Sequence, residues 1–219
     1  HDSWARRNLS DAYLILLNGL VAGYAAVANK YDKGAVCEFY VIPRYRASAQ
    51  QAFRALIDAS GATKVMAQTN DNLLLLMLYD FTKAITSDTI LFADALTTHL
   101  TRPSGHLRRV TDEDRASLFA HHSEPPGEWA IEHGGQIVAT AGALYHYNPP
   151  YGDIYMEVDE AFRRMGFGSY LVQEVKRVCY EIGKVPAART STANVSSRRT
   201  LQKAGLLPCA RILIGKIAK

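Results

Sequence analysis

The order of predicted secondary-structure elements repeats along this 219-residue chain, and this repetition constrains the fold more than any other feature. Each half is predicted to contain a β-hairpin, a strand, a helix, a strand, a helix and a final strand. Two segments 117 residues apart share a valine, an aromatic residue four positions later and an arginine five positions later, namely Val41, Tyr45 and Arg46, and Val158, Phe162 and Arg163. Similarity at a fixed spacing indicates an internal duplication.

Hydrophobic alternation and turn residues predict the individual elements. In the first half they predict strands at 12–17, 21–28, 35–42 and 64–69, helices at 48–59 and around 73–78, and β-rich pieces at 83–86 and 89–93. In the second half they predict strands at 107–111, 128–133, 136–146, 151–158, 185–191 and 207–217, and helices at 112–120, 168–182 and 196–204. The fold class is therefore α/β, with two units that each have a mixed, mostly antiparallel sheet and flanking helices. A polar linker at 101–105 predicts domains at 1–101 and 106–219.

Composition narrows the classes of partner. Lysine and arginine number 25 against 21 aspartates and glutamates, a net charge of +4, which suits an anionic ligand but does not predict nucleic-acid binding. Asn18 interrupts the apolar stretch 12–28, and Asn-Gly is a strong hairpin signal, so we expect neither a secretory signal nor a membrane span. Three scattered cysteines predict reduced thiols, no metal site and a cytoplasmic protein. Homodimerisation is left open.

The segment after the strand at 151–158 carries the clearest chemical signal. A loop containing Arg163, Arg164, Gly166 and Gly168 leads directly into a long helix. Glycines let a ligand approach the backbone closely, and the free amides of a helix N-terminus bind anionic oxygens. The loop therefore suits a pyrophosphate, although it lacks the Walker pattern and the third glycine of a dinucleotide fingerprint. The alternative interpretation is a plain tight turn.

The spacing Arg163-x-x-Gly166-x-Gly168, preceded by Val158, resembles the acyl-CoA signature of the GNAT superfamily of N-acetyltransferases. A second segment resembles the next helix of that family, with Asn194 followed by Ser197 three residues later and then by Lys203 and Gly205. The resemblance covers about 106–219, and residues 12–100 resemble a degenerate copy.

The resemblance implies acetyl-CoA as the cosubstrate and a primary amine, expected to be a small molecule, as the acceptor. It implies that the Val158 strand parts from the strand at 185–191 to bind the pantetheine arm, and that amides from Arg164 to Ser169 hold the pyrophosphate. The cofactor-binding residues it implies are Val158, Arg163, Arg164, Met165, Gly166, Phe167, Gly168, Ser169, Asn194 and Ser197. Asn194 would also order the reaction centre, and it equally suits a helix N-cap.

A protonated alkylamine needs a base before it can attack a thioester. Asp153, Tyr155 and Glu157 share one face of a predicted strand, because strand side chains alternate. The family often carries its base on this strand, so Glu157 is the first candidate and Asp153 the second. The alternative for Glu157 is a salt-bridged surface glutamate.

The general acid is not identified by the sequence. Many relatives carry a tyrosine seven residues after the motif asparagine, and this chain has Leu201 there. Four other tyrosines are alternatives, namely Tyr145, Tyr147, Tyr170 and Tyr180, or the thiolate leaves near bulk water. The missing tyrosine motivates a rival hypothesis, a non-catalytic sensor or scaffold that binds coenzyme A. We interpret His121, His122 and His146 as exposed histidines.

The first copy lacks the two glycines. Ala49 and Gln51 take the positions of Gly166 and Gly168, and a Cβ at each would crowd a pyrophosphate lying against the backbone. The N-terminal unit is therefore predicted to be structural or to shape the substrate site, without binding acetyl-CoA. Its leucine run at 73–78 is predicted to lie in the core.

Overall fold

Eleven strands and five α-helices are found in the computed structural model, which describes residues 2–118, 125–146 and 149–218. The chain divides into two units, the first formed by residues 1–89 and 210–219, and the second by residues 90–209. The prediction of domains at 1–101 and 106–219 stays a prediction. No helix among the described residues is long and apolar enough to cross a membrane.

The first unit begins with a short helix and a β-hairpin. Its elements are α1 (Asp2–Arg6), β1 (Ser10–Leu17), β2 (Leu20–Ala28), β3 (Ala35–Val41), α2 (Ala49–Ser60), β4 (Lys64–Gln68), α3 (Asn72–Phe81) and the first part of β5 (Thr82–Asp94). Asn18 and Gly19 both have positive φ, as the hairpin prediction requires. β1, β2 and β3 are antiparallel neighbours, whereas β3 and β4 run parallel. Phe39, Phe53 and Phe81 pack in the core with the apolar faces of α2 and α3.

The second unit repeats this plan. After the end of β5 it contains β6 (His106–Arg109), β7 (Trp129–His133), β8 (Gln136–Leu144), β9 (Tyr151–Val158), α4 (Phe167–Glu181), β10 (Val185–Ser191), α5 (Val195–Lys203) and the start of β11 (Leu206–Ile217). β6 to β9 are antiparallel neighbours, and β9 and β10 run parallel. The core is built from one face of α4 and the inner face of the sheet.

Most predicted elements are confirmed, and three differ. The pieces at 83–86 and 89–93 form one continuous strand, β5, because Ser87 and Asp88 extend the strand rather than break it. The helix predicted at 112–120 is a short 3₁₀ turn at Asp112–Ala116, and its last two residues lie outside the described part of the chain. The strand predicted at 136–146 ends at Leu144. The remaining bounds agree within two residues, except that α3 continues to Phe81, three residues beyond the predicted run at 73–78.

One parallel pair in each unit parts before its strands end. In the second unit, the described register of β9 with β10 runs from Tyr151 opposite Val185 to Asp153 opposite Ala187. In the first, the register of β3 with β4 covers only Ala35 and Val36 opposite Lys64 and Val65. The carboxyl-terminal parts of these strands therefore diverge, which frees backbone groups in each unit.

Candidate functional site

The loop between β9 and α4 leaves backbone amides free at the start of a long helix. Gly166 is the N-cap of α4 and has a φ of +90°, and Arg164 has a φ of +67°. The helical ladder begins with the Tyr170 amide, which donates to the Gly166 carbonyl oxygen at 3.1 Å, so the preceding first-turn amides have no partner within the helix. A Cβ built on Gly166 meets no atom within 4 Å. The amides of this turn can therefore donate hydrogen bonds to anionic oxygens, since open space lies over Gly166.

The arginines of this loop have different surroundings. Arg163 donates from Nε to the Val158 carbonyl oxygen at 3.3 Å, and its terminal nitrogens lie 3.5 Å from Glu157 and 3.8 Å from Glu160. Arg163 thus folds back on the strand that it follows. Arg164 and Met165 are exposed at the turn itself. Arg164, in the turn itself, and the helix dipole both contribute positive charge at this end of α4.

Gly168 has a packing role as well as a predicted ligand role. It is buried, and a Cβ there would lie 3.1 Å from Met156 Cε, 3.2 Å from Val158 Cγ2 and 3.3 Å from Thr200 Cγ2. A Cβ at this position would therefore press against these three protein side chains, and the expectation that it would crowd a pyrophosphate stays a prediction. Gly166 is the glycine of this motif that faces open space.

The other residues of the first helical turn have mostly internal side chains. Phe167 is 1% exposed and packs in the core, and Ser169 donates from Oγ to the Gly166 carbonyl oxygen at 3.1 Å. These residues can therefore offer a ligand their backbone amides. Their predicted cofactor-binding roles stay predictions.

Asn194 caps helix α5. Its side-chain oxygen accepts a hydrogen bond from the Ser197 amide at 2.9 Å, as in a standard N-cap. The N-cap interpretation is thereby confirmed. The side chain remains exposed at the end of β10, where that strand has parted from β9, so a second role toward a ligand stays a prediction for Asn194 and for Ser197.

The two candidate bases on β9 are both paired with arginines. Asp153 forms an ion pair with Arg189, whose Nε lies 3.1 Å from its carboxylate, and the Asp153 side chain is 17% exposed. Glu157 lies 3.5 Å from Arg163, and its side chain is 32% exposed. Tyr155, between them, is buried and donates to the Pro126 carbonyl oxygen at 3.1 Å. Glu157 is therefore the more accessible carboxylate. The catalytic roles of Glu157, Asp153 and Asn194 stay predictions.

Arg189 was not singled out by the sequence analysis. The sequence places Arg189 in β10, which is the strand paired with β9, the strand of Asp153. This position is the feature that could have indicated the ion pair, because residues of paired strands can face each other.

Three of the four candidate tyrosines belong to the part of the chain that the structure describes, and they differ in surroundings and in position along α4. Tyr180 donates to Asp94 Oδ2 at 2.7 Å, and this bond raises the pKa of Tyr180 to about 12. Burial raises the pKa of Tyr145, a hydrogen-bond partner of Cys179, to about 12 as well. Tyr180 and Cys179 lie in the last turn of α4, roughly 20 Å from its start at 1.5 Å per residue. Tyr170 is the candidate in the first turn, and burial raises its pKa.

The Leu201 position and the predicted exposed histidines are the other positions that the sequence analysis considered for proton transfer. Leu201 is 3% exposed and packs in the core of the second unit, so this helix position holds no proton donor. His146 is exposed, as predicted. Tyr147, His121 and His122 lie outside the described residues.

Comparison with known proteins identifies the family. A protein-family model described as "Acetyltransferase (GNAT) family" matches residues 93–206, more than half of the chain. A second family model, described as "Acetyltransferase (GNAT) domain", matches residues 6–95. The chain therefore belongs to the GNAT family of acetyltransferases, and the predicted tandem arrangement and α/β fold class are confirmed.

Individual relatives are distant. The Bacillus subtilis (strain 168) protein YwnH, which carries the provisional name phosphinothricin acetyltransferase, is 34% identical over 79 residues, 34% of this chain and 48% of that protein. The chain thus matches about half the length of that relative. A GNAT acetyltransferase from Colwellia psychrerythraea has a TM-score of 0.78 at 14% identity, covering 96% of this chain and 87% of that one.

A second structure has a tandem arrangement in its description. This tandem GNAT protein from the clavulanic acid biosynthesis pathway has a TM-score of 0.59 at 14% identity, covering 96% of this chain and 83% of that one. At these identities the structural likeness shows the fold.

Proposed function

We propose that the second unit transfers an acetyl group from acetyl-CoA to the primary amine of a small acceptor molecule. The observation that supports this most is the turn at Gly166, where free first-turn amides and a positive-φ glycine lie beside strands that have parted. A pyrophosphate needs hydrogen-bond donors and close approach to backbone, and this turn supplies both.

The residues present fit an acyl-CoA. The diverging end of β9, residues 154–158, would align the pantetheine arm through its free backbone groups, as an added strand does. The amides from Arg164 to Ser169 would hold the pyrophosphate, with Arg164 adding positive charge. Asn194 and Ser197 would contact the thiol end from the start of α5.

Acetyl-CoA brings the activated thioester carbonyl, and the chain supplies orientation and proton transfer. Glu157 accepts a proton from the ammonium form of the acceptor, directly or through one water, which leaves a neutral amine able to attack. The new carbon–nitrogen bond replaces the carbon–sulfur bond, and the nitrogen gives its second proton to water. The sulfur then takes up a proton from Tyr170 or from water, because Leu201 has none to give.

The rival function is a sensor or scaffold that binds coenzyme A without turnover. The burial of Leu201 in the core favours it, since the helix position used for a proton donor in many relatives carries an alkyl group here. Both functions use the same loop, so binding alone does not distinguish them.

A thiol-release assay over a panel of primary amines separates the two. The panel should include phosphinothricin, on account of the name of YwnH. A Cys209→Ser background removes the exposed protein thiol, so a thiol reagent reports released coenzyme A. Amine-dependent release supports the transferase. Saturable acetyl-CoA binding without release above hydrolysis for any amine supports the sensor.

A further inference from the structure

The first unit contains a cleft where β3 and β4 diverge. Its volume is about 440 Å³, and it is lined by Tyr24, Glu38, Phe39, Tyr40, Arg46, Asn70, Asp71, Asn72 and Leu73. It lies at the carboxyl ends of two parallel strands, beside the start of α3. The corresponding place in the second unit is the candidate acyl-CoA site, so the duplication has left two clefts of common origin.

The two clefts keep the same framework. Arg46 donates from Nε to the Val41 carbonyl oxygen at 3.3 Å, as Arg163 does to Val158. Asp71 caps α3 by accepting from the Leu74 amide at 3.1 Å, in the role that Asn194 has in α5. The N-cap that is neutral in the second unit therefore carries a negative charge in the first.

The lining of the first cleft has the chemistry of a cation site. The rings of Tyr24 and Tyr40 lie 5.7 Å apart, and both are partly exposed, so their π-faces are accessible. Glu38 and Asp71 line the same cleft as Tyr24. Burial, and then the nearby Glu38, Tyr40 and Asp71, raise the pKa of the Tyr24 hydroxyl. Aromatic faces together with carboxylates attract ammonium groups.

The same lining disfavours a pyrophosphate. Two carboxylates outweigh the single positive charge of Arg46, whose Nε is engaged with Val41, so the net charge of the lining is −1. The glycine at the cofactor turn is also replaced, since α2 begins at Ala49. At the start of α3 the Asp71 carboxylate takes the place of the neutral Asn194 amide of the second unit, which adds negative charge to this cleft.

We propose that the cleft of the first unit binds a small organic ammonium ion between Tyr24, Tyr40 and the carboxylates of Glu38 and Asp71. The positive group lies against the tyrosine rings, and Asn70 and Asn72 offer hydrogen bonds to polar substituents of the ligand. This proposal concerns residues of the first unit and does not depend on the proposed function.

Titration with choline tests the proposal, with 3,3-dimethyl-1-butanol as its neutral isostere. The full chain is labelled on tyrosine and followed by NMR in phosphate buffer at constant ionic strength, with Tyr24→Phe and Tyr40→Phe used to assign the two signals. We expect saturable shifts of Tyr24 and Tyr40 with choline and none with the isostere. Equal response to both compounds, or no saturable shift with choline, would overturn the proposal.

Charge-removing variants locate the site. Asp71→Asn keeps a good N-cap and removes the charge, and we expect choline to bind about fivefold to tenfold more weakly. Asp58→Asn, on the exposed side of α2, is the matched control and should bind as the parent does. Tyr24→Leu should also weaken binding, and it covers the case in which Asp71→Asn does not fold. Unchanged choline affinity in Asp71→Asn and Tyr24→Leu, or displacement of choline by coenzyme A from these tyrosines, would contradict the assignment.

Discussion

Arg163 donates a hydrogen bond from Nε to the carbonyl oxygen of Val158 at 3.3 Å. The same bond joins Arg46 to Val41 in the first unit, at the same distance. The repeated valine-to-arginine spacing therefore has a structural cause, because a side chain five residues later folds back on the last carbonyl of the strand. Gly166 has no counterpart in the first unit, where Ala49 takes its position. The shared part of the motif fixes the turn, and we assign the unshared glycine to ligand binding.

Replacing Glu157 tests the candidate base. Glu157→Gln should lower kcat by roughly 10²–10³, since a positioned general base contributes about that much, while the Kd for acetyl-CoA stays within about twofold. Glu160→Gln is the matched control, because Glu160 faces the same Arg163 at 3.8 Å but is exposed. Steady-state kinetics on an active amine provides the measurement. An unchanged kcat in Glu157→Gln would assign the role to Asp153 or to water.

The role of Asn194 divides into a structural part and a ligand part. Asn194→Ala should lower the free energy of unfolding by about 0.5–2 kcal/mol, because α5 loses its N-cap. Asn194→Ser and Asn194→Asp should both keep the cap, but the aspartate should weaken acetyl-CoA binding because its charge opposes an anionic ligand. Urea unfolding and calorimetry give the two quantities. Equal acetyl-CoA affinity in the serine and aspartate variants would leave Asn194 as a cap only.

How much could be predicted depended on whether a signal was local. The Asn18–Gly19 turn and the bounds of β9 and β10 were predicted, because turn residues and the alternation of apolar and polar side chains involve only residues close together in sequence. The close packing around Gly168 was not predicted, since it depends on Met156 and Thr200, which belong to two other elements. The pairing of Asp153 with Arg189 likewise needs the register of two strands that are distant in sequence.

Restoring a tyrosine at Leu201 should not restore a proton donor. The position is 3% exposed, so Leu201→Tyr should overpack the core and lower the free energy of unfolding by about 1–3 kcal/mol, with no gain in kcat. Leu201→Met is the control, since its volume is similar and it should cost less than about 1.5 kcal/mol. Thermal unfolding and thiol release measure both effects. A higher kcat in Leu201→Tyr would contradict the placement of this side chain in the core.

The hydrogen bond from Tyr180 to Asp94 predicts a dependence of stability on pH. Folding raises the pKa of Tyr180 to about 12, so the protonated phenol is favoured in the folded protein. The stability that this hydrogen bond contributes is therefore fully present below the pKa of about 10 in the unfolded chain, and it is lost as pH rises through 12. Tyr180→Phe should therefore be less stable than the parent at pH 8, by at most about 1 kcal/mol because Tyr180 is 54% exposed, and the difference should shrink by pH 11.5. Urea midpoints at both pH values test this. A difference that stays constant or grows would refute it.

Calorimetric titration of acetyl-CoA into the parent and two glycine variants tests the central claim most directly. Gly166→Val and Gly183→Val place the same side chain at a positive φ in open space, the first at the start of α4 and the second just after its end, so both pay a similar backbone cost. The account predicts one equivalent of acetyl-CoA for the parent and for Gly183→Val, and no measurable binding for Gly166→Val. Two equal sites in the parent, or parent-like affinity in Gly166→Val, would show that acetyl-CoA does not bind as proposed at the turn that begins α4.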